Sequence, residues 1–222
     1  MDSKFSAMEH GFRFANSFDV GASLRVALLR KKYSENNTNG IPYGLCGGMC
    51  FAALDYYHAN KKVPSFARVE DISPVLFDYL FARQLDTLKY GILAKVVIWT
   101  ARRDDSLARS VAAFEVKKLR DRIDKREPVA LVLIRAPKLE KLKNNHQVLA
   151  TGYDYNAQTK DLVIRLYDPN YPYDPEHPQD SMTLQLNLAA PGAGLHMTHP
   201  RYGAVRAFFV LDYAARKPPE IA

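Results

Sequence analysis

Few features of this 222-residue sequence could cross-link it or anchor it in lipid. Its two cysteines are too few for a disulfide framework, and in a reducing compartment both are expected as thiols. No stretch approaches the roughly 18 consecutive apolar residues of a membrane-spanning helix, and the N-terminal MDSKFSAMEHGFRF lacks the continuous apolar segment of a secretory signal. The expected location is therefore cytoplasmic, with no membrane partner. Zinc-finger spacing, an RNP-type aromatic run and a Walker loop are absent, as are internal repeats and long linkers.

What remains is enough apolar mass for a full core. With 47% hydrophobic and 11% aromatic residues the chain is expected to fold as one domain over residues 1–215, with 216–222 as a disordered tail. The net charge of +7 and pI near 9.3 could signal a polyanionic partner. Distribution argues against nucleic acid, because the bases of VKKLRDRIDKR (116–126) and KLEKLK (138–143) are interleaved with acids and apolar residues at helical spacing. That is the pattern of a solvated amphipathic face.

The order of elements points to an α+β protein. HGFRFANSF (10–18) alternates aromatic and polar residues and predicts a strand; GASLRVALLRKKY (21–33) predicts a short helix, and SENNTNGIP (34–42) a loop. CGGMCFAALDYYHA reads as an apolar helix ended by Asn60, Lys61 and Lys62. Ser73 and Pro74 form a cap and first-turn pair opening a helical region over 73–99, with a break near Gly91, and a further helix spans 106–126. Beyond Glu127 the period changes. PVALVLIR (128–135), HQVLATGYDYN (146–156), DLVIRLYD (161–168), TLQLNL (183–188) and VRAFFVLDY (205–213) predict an antiparallel sheet following the helices.

Both cysteines fall in YGLCGGMC, four residues apart at the mouth of the apolar helix. A zinc site would need about four ligands, and His196 and His199 of HMTH, in a Gly- and Pro-rich loop, are the candidates for its second half. A disulfide across one helical turn strains the bond. A thiol at a helix N-terminus is the remaining chemistry: unpaired N–H groups and the positive helix end favour the thiolate, the nucleophilic form. Cys46 sits at that end, whereas Cys50 is a turn deeper between Met49 and Phe51 and reads as a small core residue. Gly47 and Gly48 suit a place where substrate approaches backbone N–H groups. Two core cysteines in a closely packed glycine-containing helix are the structural alternative.

A nucleophilic cysteine needs a base, and the base an orienting group. Of the six histidines, His146 opens a predicted strand, and Asp168 ends the next one before Pro169. A hairpin centred near 157 sets 146 opposite 168, which gives the two a reason to touch. Trp99 reads as core at a helix end, and Met49, Phe51 and Leu54 as helix packing.

The order LCGGMC, NHQVLATGYD, YDPN resembles the papain-like cysteine peptidase superfamily, in particular bacterial C39-like peptidase domains and a group of bacterial proteins with GLCGGM, NHQVLAYGYD-like and YDPNYP segments. The resemblance runs from about Gly11 to Tyr213, with these three segments its specific part. It implies a papain-like α+β fold and a cysteine-dependent hydrolase or acyltransferase acting on an amide or thioester bond of a peptide or protein substrate, without cofactor or metal. Residue by residue it implies Cys46 as nucleophile, His146 as base and acid, and Asp168 as orienting residue, with Asn170 the lesser candidate for that third place. The chain departs from the family at the glutamine that helps form the oxyanion hole, where Gly40 (counted from Cys46) or Gly44 (from Cys50) stands, leaving Tyr43 as a candidate donor. CGGMCF can also be read with Cys50 as nucleophile. The alternative function is an inactive papain-like module that binds a peptide or protein partner through its groove or the loop YPYDPEHP (171–178).

Overall fold

The computed structural model describes residues 1–18, 44–174, 176 and 182–221. The predicted helix over 21–33, the loop 34–42, Gly40, Tyr43 and part of the loop 171–178 lie outside them. The described chain is α+β, with helices α1 (Ala7–His10), α2 (Cys46–His58), α3 (Pro74–Asp86), α4 (Tyr90–Ala101), α5 (Asp104–Ser110) and α6 (Val116–Ile123). A seven-stranded antiparallel sheet follows: β1 (Val129–Ile134), β2 (His146–Tyr155), β3 (Asp161–Tyr167), β4 (Met182–Asn187), β5 (Met197–His199), β6 (Gly203–Val205) and β7 (Ala207–Val210). Its spatial order is β6-β5-β4-β3-β2-β1-β7.

Local chemistry sets the helix ends. The Ser73 hydroxyl accepts the Leu76 N–H at 3.2 Å, with Pro74 in the first turn behind it. Beyond α2, Asn60 takes a left-handed φ of 52° and Lys61 N–H returns to the Tyr56 carbonyl. The break in the long helical region falls earlier than Gly91: the Thr87 hydroxyl donates to the Gln84 carbonyl at 2.8 Å and ends α3, while Gly91 lies in the first turn of α4. The helix expected over 106–126 is α5 and α6 joined by a π-helical turn, Val111–Glu115. Buried Glu115 accepts the Val210 N–H on β7 and pairs with Lys95 and Lys118, so the widened turn serves a cross-link to the sheet edge.

Two expectations require correction. HGFRFANSF forms no strand: His10 ends α1, and the remainder is irregular chain whose alternation arises because Phe12 and Phe14 are buried in the core. HMTH is not loop, since Met197–His199 is β5, paired with β6 and touching β4. The segment after Tyr213 has no regular structure but runs back over α2 and α3. Arg216 N–H donates to Asp55, Arg83 to the Ala214 carbonyl, and the Tyr56 hydroxyl to the Pro219 carbonyl.

β1 is buried at every position, so both of its faces are covered, and α2 packs on β2. This brings the N-terminus of α2 against the first residues of β2. Gly47 and Gly48 make the approach possible: a Cβ on Gly47 would collide with Gln147 and Thr87, and one on Gly48 with the Leu80 carbonyl. The glycines therefore serve close packing on β2 and α3.

Candidate active site

Cys46 is the first residue of α2, 8% exposed, with Leu45 as its cap. The helix leaves its first N–H groups without internal acceptors. Leu45 N–H is taken by Asn16 Oδ1 at 2.8 Å and Gly48 N–H by Gln84 Oε1 at 2.8 Å. Among the described residues nothing accepts from the N–H groups of Cys46 and Gly47. Two donors at the positive helix end thus stand beside the sulfur.

The His146 ring hydrogen-bonds to Asp168 through Nε2, at 2.7 Å from Oδ1, and lies beside Cys46. Nε2 is committed to the carboxylate, so Nδ1 is the nitrogen left for the thiol. Burial alone would lower the His146 pKa, but the Asp168 charge and then Cys46 outweigh it and raise it from 6.5 to about 10. Burial acts to raise the Asp168 pKa; the His146 charge and hydrogen bond, the nearby His199 ring and the Asn170 N–H overcome it and hold the carboxyl well below the ordinary range.

The pairing that brings them together differs from hairpin symmetry. Leu149 faces Tyr167, and a bulge between Ala150 and Gly152 shifts the register towards the turn. This sets Asp168 level with Val148, so the contact with His146 is diagonal across the strands.

Asp168 has a second histidine. His199 Nδ1 accepts the Arg201 N–H at 3.2 Å, which leaves the proton on Nε2, 3.4 Å from Asp168 Oδ2. His199 stacks on Tyr202 at 4.3 Å between ring centres, and Tyr202 meets the His146 ring edge-on at 5.4 Å. Asn170 completes the surround: its N–H donates to Asp168 Oδ1, its Nδ2 to the Tyr202 hydroxyl, and its Oδ1 accepts from Asn16 Nδ2.

Cys46 and His146 open on a cleft of about 270 Å³ whose lining also includes Asn16, Gln84, Asn170 and the aliphatic Leu88, Leu93 and Val96. Cys50 lies elsewhere, in the core, with its thiol directed to the Gln147 carbonyl at 3.6 Å. Burial, then the charges of Cys46 and Asp168, push that thiol well above its usual pKa. Exposed His196 and buried His199 part ways, and among the described residues no group of His, Cys, Asp or Glu side chains is arranged to hold a metal ion.

The structure thus gathers Cys46, His146 and Asp168, with Asn170 on the carboxylate rather than on the imidazole. Sequence reasoning missed Asn16, Tyr202 and the place of His199. Nothing local marks His199, on a strand of three residues, or Asn16, thirty residues before Cys46. Family models, curated proteins and solved structures offer no match to this chain.

Proposed function

We propose that the chain is a cysteine-dependent hydrolase or acyltransferase of papain-like type, acting on an amide or thioester bond of a peptide or protein. The observation that carries this reading is the 2.7 Å contact between His146 and Asp168, buried beside Cys46 at the first turn of a helix and opening on the cleft. In the mechanism the Cys46 thiolate attacks the carbonyl carbon. The oxyanion accepts from the Cys46 and Gly47 N–H groups. Imidazolium His146 then gives its Nδ1 proton to the departing nitrogen or sulfur, leaving an acyl-cysteine. Water, or another nucleophile, attacks that thioester while His146 takes its proton, and the carboxylic acid or transfer product leaves with the thiolate restored. Asp168 holds the ring and its charge throughout. Asn16, whose Nδ2 already donates to Asn170 Oδ1, has a second amide hydrogen to offer at the same end of α2.

Treatment with iodoacetamide across pH, read by peptide mapping, tests the reading. Cys46 is expected to be alkylated selectively at and below neutral pH, with a rate reduced about a hundredfold in His146→Ala. Slow and equal labelling of Cys46 and Cys50 overturns it. The low exposure of Cys46 favours, as the second reading, a groove that binds peptides without chemistry, and that same outcome would favour it.

A further inference from the structure

The Cys46 cleft carries an electrostatic asymmetry that acyl transfer does not itself require. Among the described residues lining it, Arg135 and Lys143 are cations and none is a carboxylate. Neither has an ion-pair partner among the described residues, whereas Arg83, Arg165 and Arg206 each lie against an aspartate. Asp168 cannot serve them, because its two oxygens face His146 and His199.

Arg135 is held in place by more than chance contact. Its guanidinium carbon lies 3.8 Å from the Tyr202 ring centre, and one terminal nitrogen donates to the Asn144 carbonyl at 2.9 Å. With His199 stacked at 4.3 Å on the same ring, the imidazole and the guanidinium must occupy opposite faces. The ring's edge meets His146, so the cation is fixed one side chain away from the base. Its Nε is buried with no acceptor. A stacked guanidinium with unused donors is preorganised to receive a carboxylate.

We propose that the cleft selects acidic peptides, with a glutamate or aspartate side chain near the scissile carbonyl received by Arg135 and the field of Lys143 adding at the rim. This rests on Cys46 and His146 acting as proposed above. The test uses three N-acetyl dipeptide chloromethyl ketones ending in leucine and differing only in the preceding residue: glutamate, glutamine or lysine. In each the Cys46 sulfur displaces chloride and forms a thioether, which is read by mass.

The glutamate probe is expected to label Cys46 about fivefold or more faster than the glutamine probe, and the lysine probe more slowly than either. Arg135→Gln is expected to bring the glutamate-to-glutamine ratio close to one; Lys143→Gln, at an exposed position, lowers it in part, and added salt lowers it in the unaltered protein. Equal rates for the three probes, or a glutamate preference that survives both substitutions, overturns the acidic preference while leaving the nucleophile standing. Failure of all three probes and of iodoacetamide to label Cys46 overturns the nucleophile and this inference with it. Should Arg135→Gln fail to fold, the Lys143→Gln ratio and the salt dependence decide the question alone.

Discussion

Asp168 is the residue on which the site turns, because its two oxygens serve two imidazoles that differ in role. His146 faces the thiol; His199, stacked on Tyr202, faces only the carboxylate. Asp168→Asn removes the larger of the two charges that raise the His146 pKa and leaves burial opposed by Cys46 alone. The alkaline limb of kcat/KM is therefore expected to move from near pH 10 to lower pH, with activity reduced about a thousandfold or more. His199→Leu removes the polar ring that lies 3.4 Å from buried Asp168 Oδ2 and is expected to cost about tenfold in kcat with KM little changed. His199→Gln, which keeps an N–H donor, should restore most of that loss; a glutamine variant no better than leucine would reduce His199 to packing. That His146 and Asp168 meet was legible from the strand ends; the diagonal geometry of the contact was not, because hairpin symmetry cannot anticipate the bulge between Ala150 and Gly152. The part played by His199 was not legible either, because β5 is three residues long and lies two strands away from β3 in the sheet.

At the scale of the element, α2 sets two demands against each other. Glycines at positions 47 and 48 weaken a helix by about 1 kcal/mol each relative to alanine. Packing decides the sign, because Gly48 abuts the backbone carbonyl of Leu80, which cannot yield as a side-chain tip can. Gly48→Ala is accordingly expected to lower Tm by several degrees rather than raise it, by thermal unfolding. A rise in Tm would mean that α3 can move away from α2 without loss. The helix itself could be read from its apolar run and its Asn60 stop. The reason for its glycines could not, since Leu80, Thr87 and Gln147 are brought to it only by the fold.

Across the whole molecule, buried charge ties separate parts of the chain together. Arg83 and Asp55, both nearly inaccessible, join α3 to α2, and Tyr79, Tyr213 and the Arg216 N–H close around the same carboxylate. Arg83→Met leaves Asp55 buried without its cation and is expected to cost about 3–5 kcal/mol, measured by urea unfolding. The active-site pair adds a pH dependence of known sign. His146 binds its proton more tightly folded than unfolded, so its contribution is complete below about 6.5 and is lost as pH rises through about 10. Asp168, depressed in the folded state, contributes above the ordinary carboxylate range and loses that contribution only as pH falls through its lowered value. The stability difference between the wild-type chain and His146→Gln should therefore shrink steadily from pH 6.5 to pH 10.

The sequence by itself determined the α+β order, the caps at Ser73 and Asn60, the strand-length apolar runs, and the inequality of the two cysteines, because periodicity, capping and position in a helix turn are local properties. Tertiary structure alone decided that Phe12 and Phe14 are core without being strand, that Asp168 meets two histidines, and that Asn16 closes the end of α2. Each of these depends on burial or on hydrogen bonds between residues tens of positions apart, and no local pattern encodes which distant groups the sheet will bring to one place.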